Sequence, residues 1–235
     1  MAVVTGASRG IGAGLATHFA GAGLQLGLCA RHAPDVVPGA LALAVDVADA
    51  GAVDRFAEAV VDRFGRIDLW VNNAGVVEPM GPLAALDPAE VARAIEVNVL
   101  GVVNGTATFA RHVVGRAGQG VLVNVSSGAA TRPYAGWAPY CAAKAAVEQL
   151  TECVAIEEAD HGLRAYAVAP GLVDTDMQAV IRATDEERFP EVERFRTYSS
   201  YNTPPWVAAN ILDLAFGDQP PEEVRFGVPP EPAAR

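Results

Sequence analysis

Six short runs that are apolar or β-branched at nearly every position, residues 2–5, 24–30, 41–45, 67–71, 121–125 and 165–169, recur between longer stretches of helical period. A strand that buries one face alternates apolar and polar side chains, so a run that is apolar throughout belongs to a strand covered on both sides. Such runs separated by helix-length segments read as repeated βαβ units. The expected fold class is therefore α/β: a doubly wound, mostly parallel sheet with helices on both faces. The length of 235 residues allows one large core and no second domain of ordinary size, so residues 1–235 are read as one unit.

The two longest helical stretches are expected at about 88–116 and 138–161, where Val99, Val103, Ala107 and Ala110, then Val147, Leu150 and Val154, recur at spacings of three and four. Both are long enough to bury a face against another subunit as well as the sheet. Residues 176–205 are charged and aromatic and end at Pro204-Pro205, which suits one or two short surface helices forming a flap. Residues 228–235 read as a loose tail.

Charge narrows the partners. A formal net charge of -11 argues against nucleic acid and against anionic membrane surfaces, both of which need clustered cations. A small anionic cofactor needs only a local arginine or two and a helix N-terminus. The three cysteines, Cys29, Cys141 and Cys153, have no C-x-x-C spacing, and no leader or membrane-length apolar run is found, so a soluble cytoplasmic protein is expected. The four histidines lack metal-ligand spacing, and no metal is expected.

Thr5-Gly6-Ala7-Ser8-Arg9-Gly10-Ile11-Gly12 lies where the first strand gives way to the first helix. Glycines there permit a tight turn and close approach of backbone to a pyrophosphate, while the helix start offers unpaired N–H groups. Alone, such a cluster is as often a plain turn. In dinucleotide folds an acidic residue at the end of the second strand binds the adenosine ribose and selects NAD. Here Arg31 holds that place, and with Arg9 it suits a ribose 2'-phosphate, so NADP(H) is the expected cofactor. The third and fourth strands end at Asp46-Val47 and at Asn72-Asn73-Ala74-Gly75, on the edge where open α/β sheets bind ligands.

Tyr140 and Lys144 are four residues apart in a helical pattern and so share one face. An ammonium beside a phenol favours the phenolate, which is expected to bring the Tyr140 pKa below its ordinary value near 10 and make it a usable proton donor. Tyr-x-x-x-Lys arises often by chance, but this chain has 16 arginines and one lysine. That lysine falls four residues after one of only five tyrosines, a coincidence of about 2% (5 of 235 positions) under random placement. Ser127, at the end of the fifth run, is placed to hydrogen-bond a carbonyl oxygen beside Tyr140. Asn98 is polar within an apolar stretch and needs a partner, either a structural bond or a water chain toward Lys144.

Taken in order, Thr5 to Gly12, Asp46, Asn72 to Gly75, Asn98, Ser127, Tyr140, Lys144 and Pro170-Gly171-Leu172-Val173-Asp174-Thr175 resemble the short-chain dehydrogenase/reductase family over nearly the whole chain. The resemblance implies a Rossmann fold and a tetrad of Asn98, Ser127, Tyr140 and Lys144, with Lys144 also holding the nicotinamide ribose. It implies cofactor contacts along Gly6, Ser8, Arg9, Gly10, Ile11, Gly12, Arg31, Asp46, Val47, Asn73, Ala74, Gly75, Pro170 and Gly171, with Val173 and Thr175 at the carboxamide. Homodimers or homotetramers through the two long helices are also implied. Within the family, Ser126-Ser127-Gly128-Ala129-Ala130 and the segment Tyr134 to Cys141 are similar to the branch of sepiapterin and benzil reductases. No aspartate follows Asp218, whereas sepiapterin reductases are known for one near the C-terminus that anchors the pterin. A ketone, aldehyde or bulky aromatic α-diketone is therefore expected in place of a pterin, against walls of Ser127, Gly128, Tyr134, Trp137 and Met177. The competing class is a nucleotide-sensing module that kept the fold and lost the chemistry, for which the full tetrad has no use.

Overall fold

The structure is a computed structural model that describes residues 1–35, 37–116 and 118–232. Seven parallel strands form one sheet in the order β3-β2-β1-β4-β5-β6-β7. They are β1 (Ala2–Thr5), β2 (Leu26–Ala30), β3 (Leu41–Ala44), β4 (Leu69–Asn72), β5 (Gly120–Val125), β6 (Leu163–Ala169) and β7 (Arg225–Gly227). The helices are α1 (Gly10–Gly21), α2 (Ala50–Phe64), α3 (Pro88–Ile95), α4 (Gly101–Val113), α5 (Ala138–Glu157), α6 (Asp176–Ala183), α7 (Val192–Thr197) and α8 (Pro204–Phe216). The order of strands reverses between β1 and β4, and the crevice outside their carboxyl ends is where such sheets take ligands.

Strand alternation sorts the core into two layers. Val4, Leu28, Leu69, Val71 and Val123 face Leu15 and Phe19 of α1 and Ile211 of α8. Val3, Trp70 and Leu122 face Phe56 and Val60 of α2, Phe109 of α4 and Val154 of α5. Both faces of β1, β4 and β5 are thus buried, which is why these runs lack the polar alternation of a half-exposed strand.

The expected helix over 88–116 is interrupted. It is α3, one π turn at Glu96–Leu100 and α4, and the widened turn carries Asn98. Asn98 donates to the Val76 carbonyl (2.8 Å) and accepts from the Val76 N–H (2.9 Å), so its partner is backbone and the structural bond is the one realised. The second long helix stops at Glu157 and is followed by a 3-10 turn. Residues 176–205 carry α6 and α7, which are more than surface decoration, because Phe189, Val192 and Phe195 are buried.

Reading residues 228–235 as loose needs correction over 228–232. Val228 is buried and its N–H donates to the Ala169 carbonyl at 2.9 Å, while Glu231 caps the start of α8 through the Thr203 N–H at 2.7 Å. The rest of that tail lies outside the described residues. β7 and α8 are additions that the apolar runs did not reveal: β7 is three residues long, and α8 is nearly as apolar on both sides.

A polar ladder crosses the α4–α5 side of the core. Trp70 Nε1 donates to Asn72 Oδ1 (2.8 Å), Asn72 Nδ2 to Asn124 Oδ1 (2.9 Å), and Asn124 Nδ2 to Thr151 Oγ1 (3.0 Å). Each group is satisfied, the condition under which buried amides hold a unique packing rather than weaken it. Gly105 makes room for the ladder, since a Cβ there would lie 2.1 Å from Asn72 Oδ1.

His112, at the end of α4, accepts the Ile67 N–H at Nε2 (3.1 Å) and so is neutral. Burial lowers its pKa from 6.5, and the charges of Arg116 and Arg66 lower it further. The unfolded chain then binds more protons than the folded one in mildly acid solution, so stability is complete above the unfolded value of 6.5 and declines as pH falls below it. Urea unfolding followed from pH 8 to 5 is expected to show this decline, and His112→Gln, which keeps an acceptor without a titrating ring, is expected to flatten it; an equal slope in the variant would reject the assignment.

Candidate active site

β1, β4 and the start of α1 are tied together at their carboxyl edge. Thr5 Oγ1 accepts the N–H groups of Asn73 (3.0 Å) and Ala74 (3.1 Å). Asn73 Nδ2 returns bonds to the carbonyls of Thr5 (2.9 Å) and Gly6 (3.2 Å), so this amide shapes the glycine turn itself. Gly6 sits at φ 64° and Gly10 at φ 56°, left-handed values that disfavour a side chain. A Cβ on Gly6 would lie 2.7 Å from Ala74 Cα.

Helix α1 starts at Gly10 with no side-chain cap from Arg9 and no acidic residue in its first turn. Its leading N–H groups thus have no side-chain cap, an arrangement that suits an anion. Thr175, on the loop that leaves β6, closes the other side: a Cβ on Gly10 would meet its Cγ2 at 3.4 Å. That loop begins at buried Pro170 and carries buried Val173. These features suit the pyrophosphate of a dinucleotide, with Ser8 and Ile11 in the same turn and Gly75 and Val47 on the flanking strand ends.

Electrostatics divide the side of the crevice next to β2 and β3. Arg31 follows β2 and is exposed. Burial acts to raise the Asp46 pKa, but hydrogen bonds from Arg93 and the Ala48 N–H, with the charges of Arg93 and Arg31, outweigh it and hold the carboxylate ionised. Arg93, from α3, was not foreseen, because nothing in a local pattern links it to Asp46. Arg9 reaches across the crevice to Asp176 at the start of α6 (3.3 Å), both side chains being 69% exposed, a weak pair by its exposure.

On the other side lies the candidate chemistry. Tyr140 and Lys144 share the buried face of α5 as their spacing requires, and Lys144 Nζ stands 5.7 Å from the centre of the Tyr140 ring. The ammonium donates to the Val125 carbonyl, at the end of β5, at 2.8 Å. A Cβ on Gly75 would lie 3.0 Å from Asn98 Oδ1 and 3.8 Å from Lys144 Nζ, so three of the expected residues converge on one spot. Ser127 begins the turn after β5, and its Oγ accepts the Ala129 N–H at 3.2 Å.

The expected acid strengthening of Tyr140 is corrected. Burial pushes the phenol up to about 12, against the downward pull of the Ser127 hydroxyl. Burial also brings Lys144 down to about 8. Helical spacing placed the two groups on one ridge; it carried no information about desolvation, which disfavours the charged form of each.

The apolar wall beside Tyr140 is larger than sequence suggested. Trp137 stacks face to face on Phe189 (4.5 Å, 6°) and edge-on to Tyr140 (5.5 Å), and it is 4% exposed. It therefore backs the phenol and is not the open wall expected. Tyr134, 5.1 Å from Trp137, and Met177 are half-buried on the same cluster, with Leu172 beside them. Gly128 is exposed at the turn. Phe189 and Phe195, read from sequence as part of a surface flap, instead pack in the buried cluster behind Trp137.

Residues 1–186 match the short chain dehydrogenase family, and the chain belongs to it. It is thereby an oxidoreductase of the nicotinamide-dependent kind. Among known relatives, benzil reductase ((S)-benzoin forming) of Bacillus subtilis is 30% identical over 223 residues, which cover 90% of this chain and 91% of the relative. The crystal structure of 3-ketoacyl-(acyl-carrier-protein) reductase from Brucella melitensis, complexed with NADH, superposes with a TM-score of 0.83 at 28% identity, covering 97% of this chain and 95% of that one. The structure of ElxO with NADP bound gives 0.80 at 25% identity, covering 97% and 96%. Both nicotinamide dinucleotides thus occur among similar structures. Among the described residues, no group of three or more histidine, cysteine or acidic side chains is placed to hold a metal, and no helix is long and apolar enough to cross a membrane.

Gly12 gives the sharpest test of the turn. A Cβ there would lie 2.3 Å from the Gly6 carbonyl oxygen, so Gly12→Ala must displace the backbone that faces the anion. Titration of nucleotide fluorescence is expected to show binding weakened at least about tenfold, about 1.4 kcal/mol; unchanged affinity would remove the turn from the cofactor site.

Proposed function

We propose that this chain is an NADP-dependent carbonyl reductase that takes a bulky aromatic ketone or α-diketone to the alcohol. The observation that carries the reading is the convergence of Ser127, Tyr140 and the only lysine of the chain beside a crevice whose helix start is uncapped. When bound, a reduced nicotinamide supplies the hydride to the carbonyl carbon. The residues do the rest. Tyr140 gives its hydroxyl proton to the oxygen on which negative charge develops, and the Ser127 hydroxyl donates to the same atom. A phenol raised to about 12 is protonated throughout the neutral range, the state a donor needs. Lys144 keeps a positive charge beneath the ring and holds the nicotinamide ribose, and the Val125 carbonyl fixes where that charge sits.

The glycine turn Gly6 to Gly12, Asp46, Val47, Asn73 to Gly75 and Pro170 to Thr175 frame the dinucleotide. NADP over NAD is supported by Arg31 at the end of β2 and by Arg9, whose exposed pair with Asp176 is weak enough to exchange for a 2'-phosphate. The half-buried Tyr134 and Met177, backed by the buried cluster of Trp137, Phe189 and Phe195, support a flat, apolar substrate, and a benzil reductase is among the relatives. The three cysteines are free, which suits the cytoplasm in which this reading puts the enzyme. Self-association through α4 and α5 belongs to the same reading. Val103, Ala107, Ala110, Leu150 and Val154 line a shallow groove there, and Leu100, Val114 and Ile156 stand exposed. Light scattering is expected to give two or four chains per particle, and a monomer would reject it.

With benzil as substrate, NADPH is expected to be oxidised at least about tenfold more efficiently than NADH. Arg31→Asp is expected to narrow or reverse that ratio; equal use of both nucleotides by the unaltered protein would reject the NADP assignment. Tyr140→Phe is expected to abolish turnover while nucleotide binding persists, and retained turnover would sink the chemistry. The reductive rate is expected to fall as pH rises through about 8, where Lys144 loses its proton.

A further inference from the structure

A buried carboxylate stands one helical turn beyond Lys144 and has no part in the steps above. Glu148 lies on the inward ridge of α5, its side chain 8% exposed. Its Oε1 accepts the hydroxyl of Ser126, itself 2% exposed, at 2.8 Å. Its Oε2 meets Arg225 of β7 at 3.3 Å, and Arg225 also pairs with Glu152, the next turn along, at 2.7 Å.

Removing a carboxylate from water is costly unless it is paired and hydrogen-bonded, and an apolar side chain of similar size serves packing as well or better. The position of the bond gives the carboxylate a use. Ser126 lies between the two residues through which β5 serves the site: Val125, whose carbonyl holds the Lys144 ammonium, and Ser127. Successive turns of α5 therefore grip the end of β5 twice, Lys144 through a backbone carbonyl and Glu148 through a side chain. The sheet holds the Ser126 N–H on the Val168 carbonyl of β6 at 2.8 Å, and the Glu148 bond holds the hydroxyl of the same residue to the helix.

We infer that Glu148 is a positioning residue for carbonyl reduction, its bond to Ser126 fixing the end of β5 so that the Ser127 hydroxyl stays on the Tyr140 phenol. Arg225 neutralises the carboxylate and couples the last strand to the same point. The inference rests on the proposed Tyr140 chemistry.

The test uses the full-length protein with NADPH and benzil. Glu148→Leu combined with Ser126→Ala removes donor and acceptor together and leaves no buried polar group unpaired there, so the melting temperature is expected to move little. Its kcat is expected to fall about tenfold or more, as small displacements of reacting groups do, with KM for NADPH within about twofold of the unaltered protein. Glu148→Gln keeps an oxygen acceptor for Ser126 and is expected to restore kcat to within about threefold. Wild-type kcat in the double variant, or a Gln variant as slow as the double, overturns the inference. Should the double variant not fold, Ser126→Ala alone, which deletes one atom, gives the same reading on kcat. Tyr140→Phe runs alongside. If it turns over normally, the proposed chemistry fails and the positioning role with it; if it is dead while the Glu148 and Ser126 variants match wild type, the positioning role alone fails.

Discussion

The candidate site depends on one bond between a helix and a strand end, from the Lys144 ammonium to the Val125 carbonyl. A charged amine buried in an α/β core is tolerated only where its hydrogens are taken up. The bond ties α5 to the end of β5 at one point. Tyr140, one turn before Lys144, and Ser127, two residues after Val125, lie on either side of that tie. The stack of Trp137 on Phe189 closes the same phenol from behind. Geometry at the Tyr140 hydroxyl is thus inherited from packing, not from a flexible side chain finding its place.

A second constraint works on the other half of the crevice. The hydroxyl and carbonyl of Thr5 and the carbonyl of Gly6 all engage Asn73 or Ala74, which welds the turn after β1 to the end of β4 at the reversal of strand order. The glycines are then required by proximity as much as by turn geometry, for the backbone of the neighbouring strand occupies the space a methyl group would take. A turn built from backbone this tightly packed takes its shape from the neighbouring strand.

Much of this was legible in the sequence. Strands buried on both faces leave runs without polar alternation, so β1 to β6 were visible to within a few residues, and the glycine turn, Asp46 and Asn72 to Gly75 fell at strand ends as read. Tyr140 and Lys144 were picked out by spacing and by the rarity of lysine, Ser127 by its place at a strand end, Asn98 by being polar in an apolar stretch, and the four as a set by the family resemblance. What escaped was tertiary. The three residues of β7 add too little apolar length to be noticed, and the π turn that displays Asn98 leaves no mark on a pattern read at 3.6 residues per turn. Arg93 on Asp46 and Arg225 on Glu148 join residues 47 and 77 positions apart, beyond any local period. The sign of the Tyr140 shift was missed for a related reason: neighbours can be inferred from a helix, but exclusion of water depends on everything packed around it.

The hook made by residues 228–232 concentrates several connections in one side chain. Asn202 bonds the Pro170 and Pro229 carbonyls with one amide and takes the Glu231 N–H on its oxygen, so the stretches that leave β6 and β7 are joined through a single residue. Glu231 in turn accepts the Thr203 N–H at the start of α8, and α8 packs on α1 through the shared core. A change at Asn202 would therefore be felt in three places at once: at the root of the loop that carries Val173 and Thr175, in the segment after β7, and at the cap of the helix that backs the glycine turn.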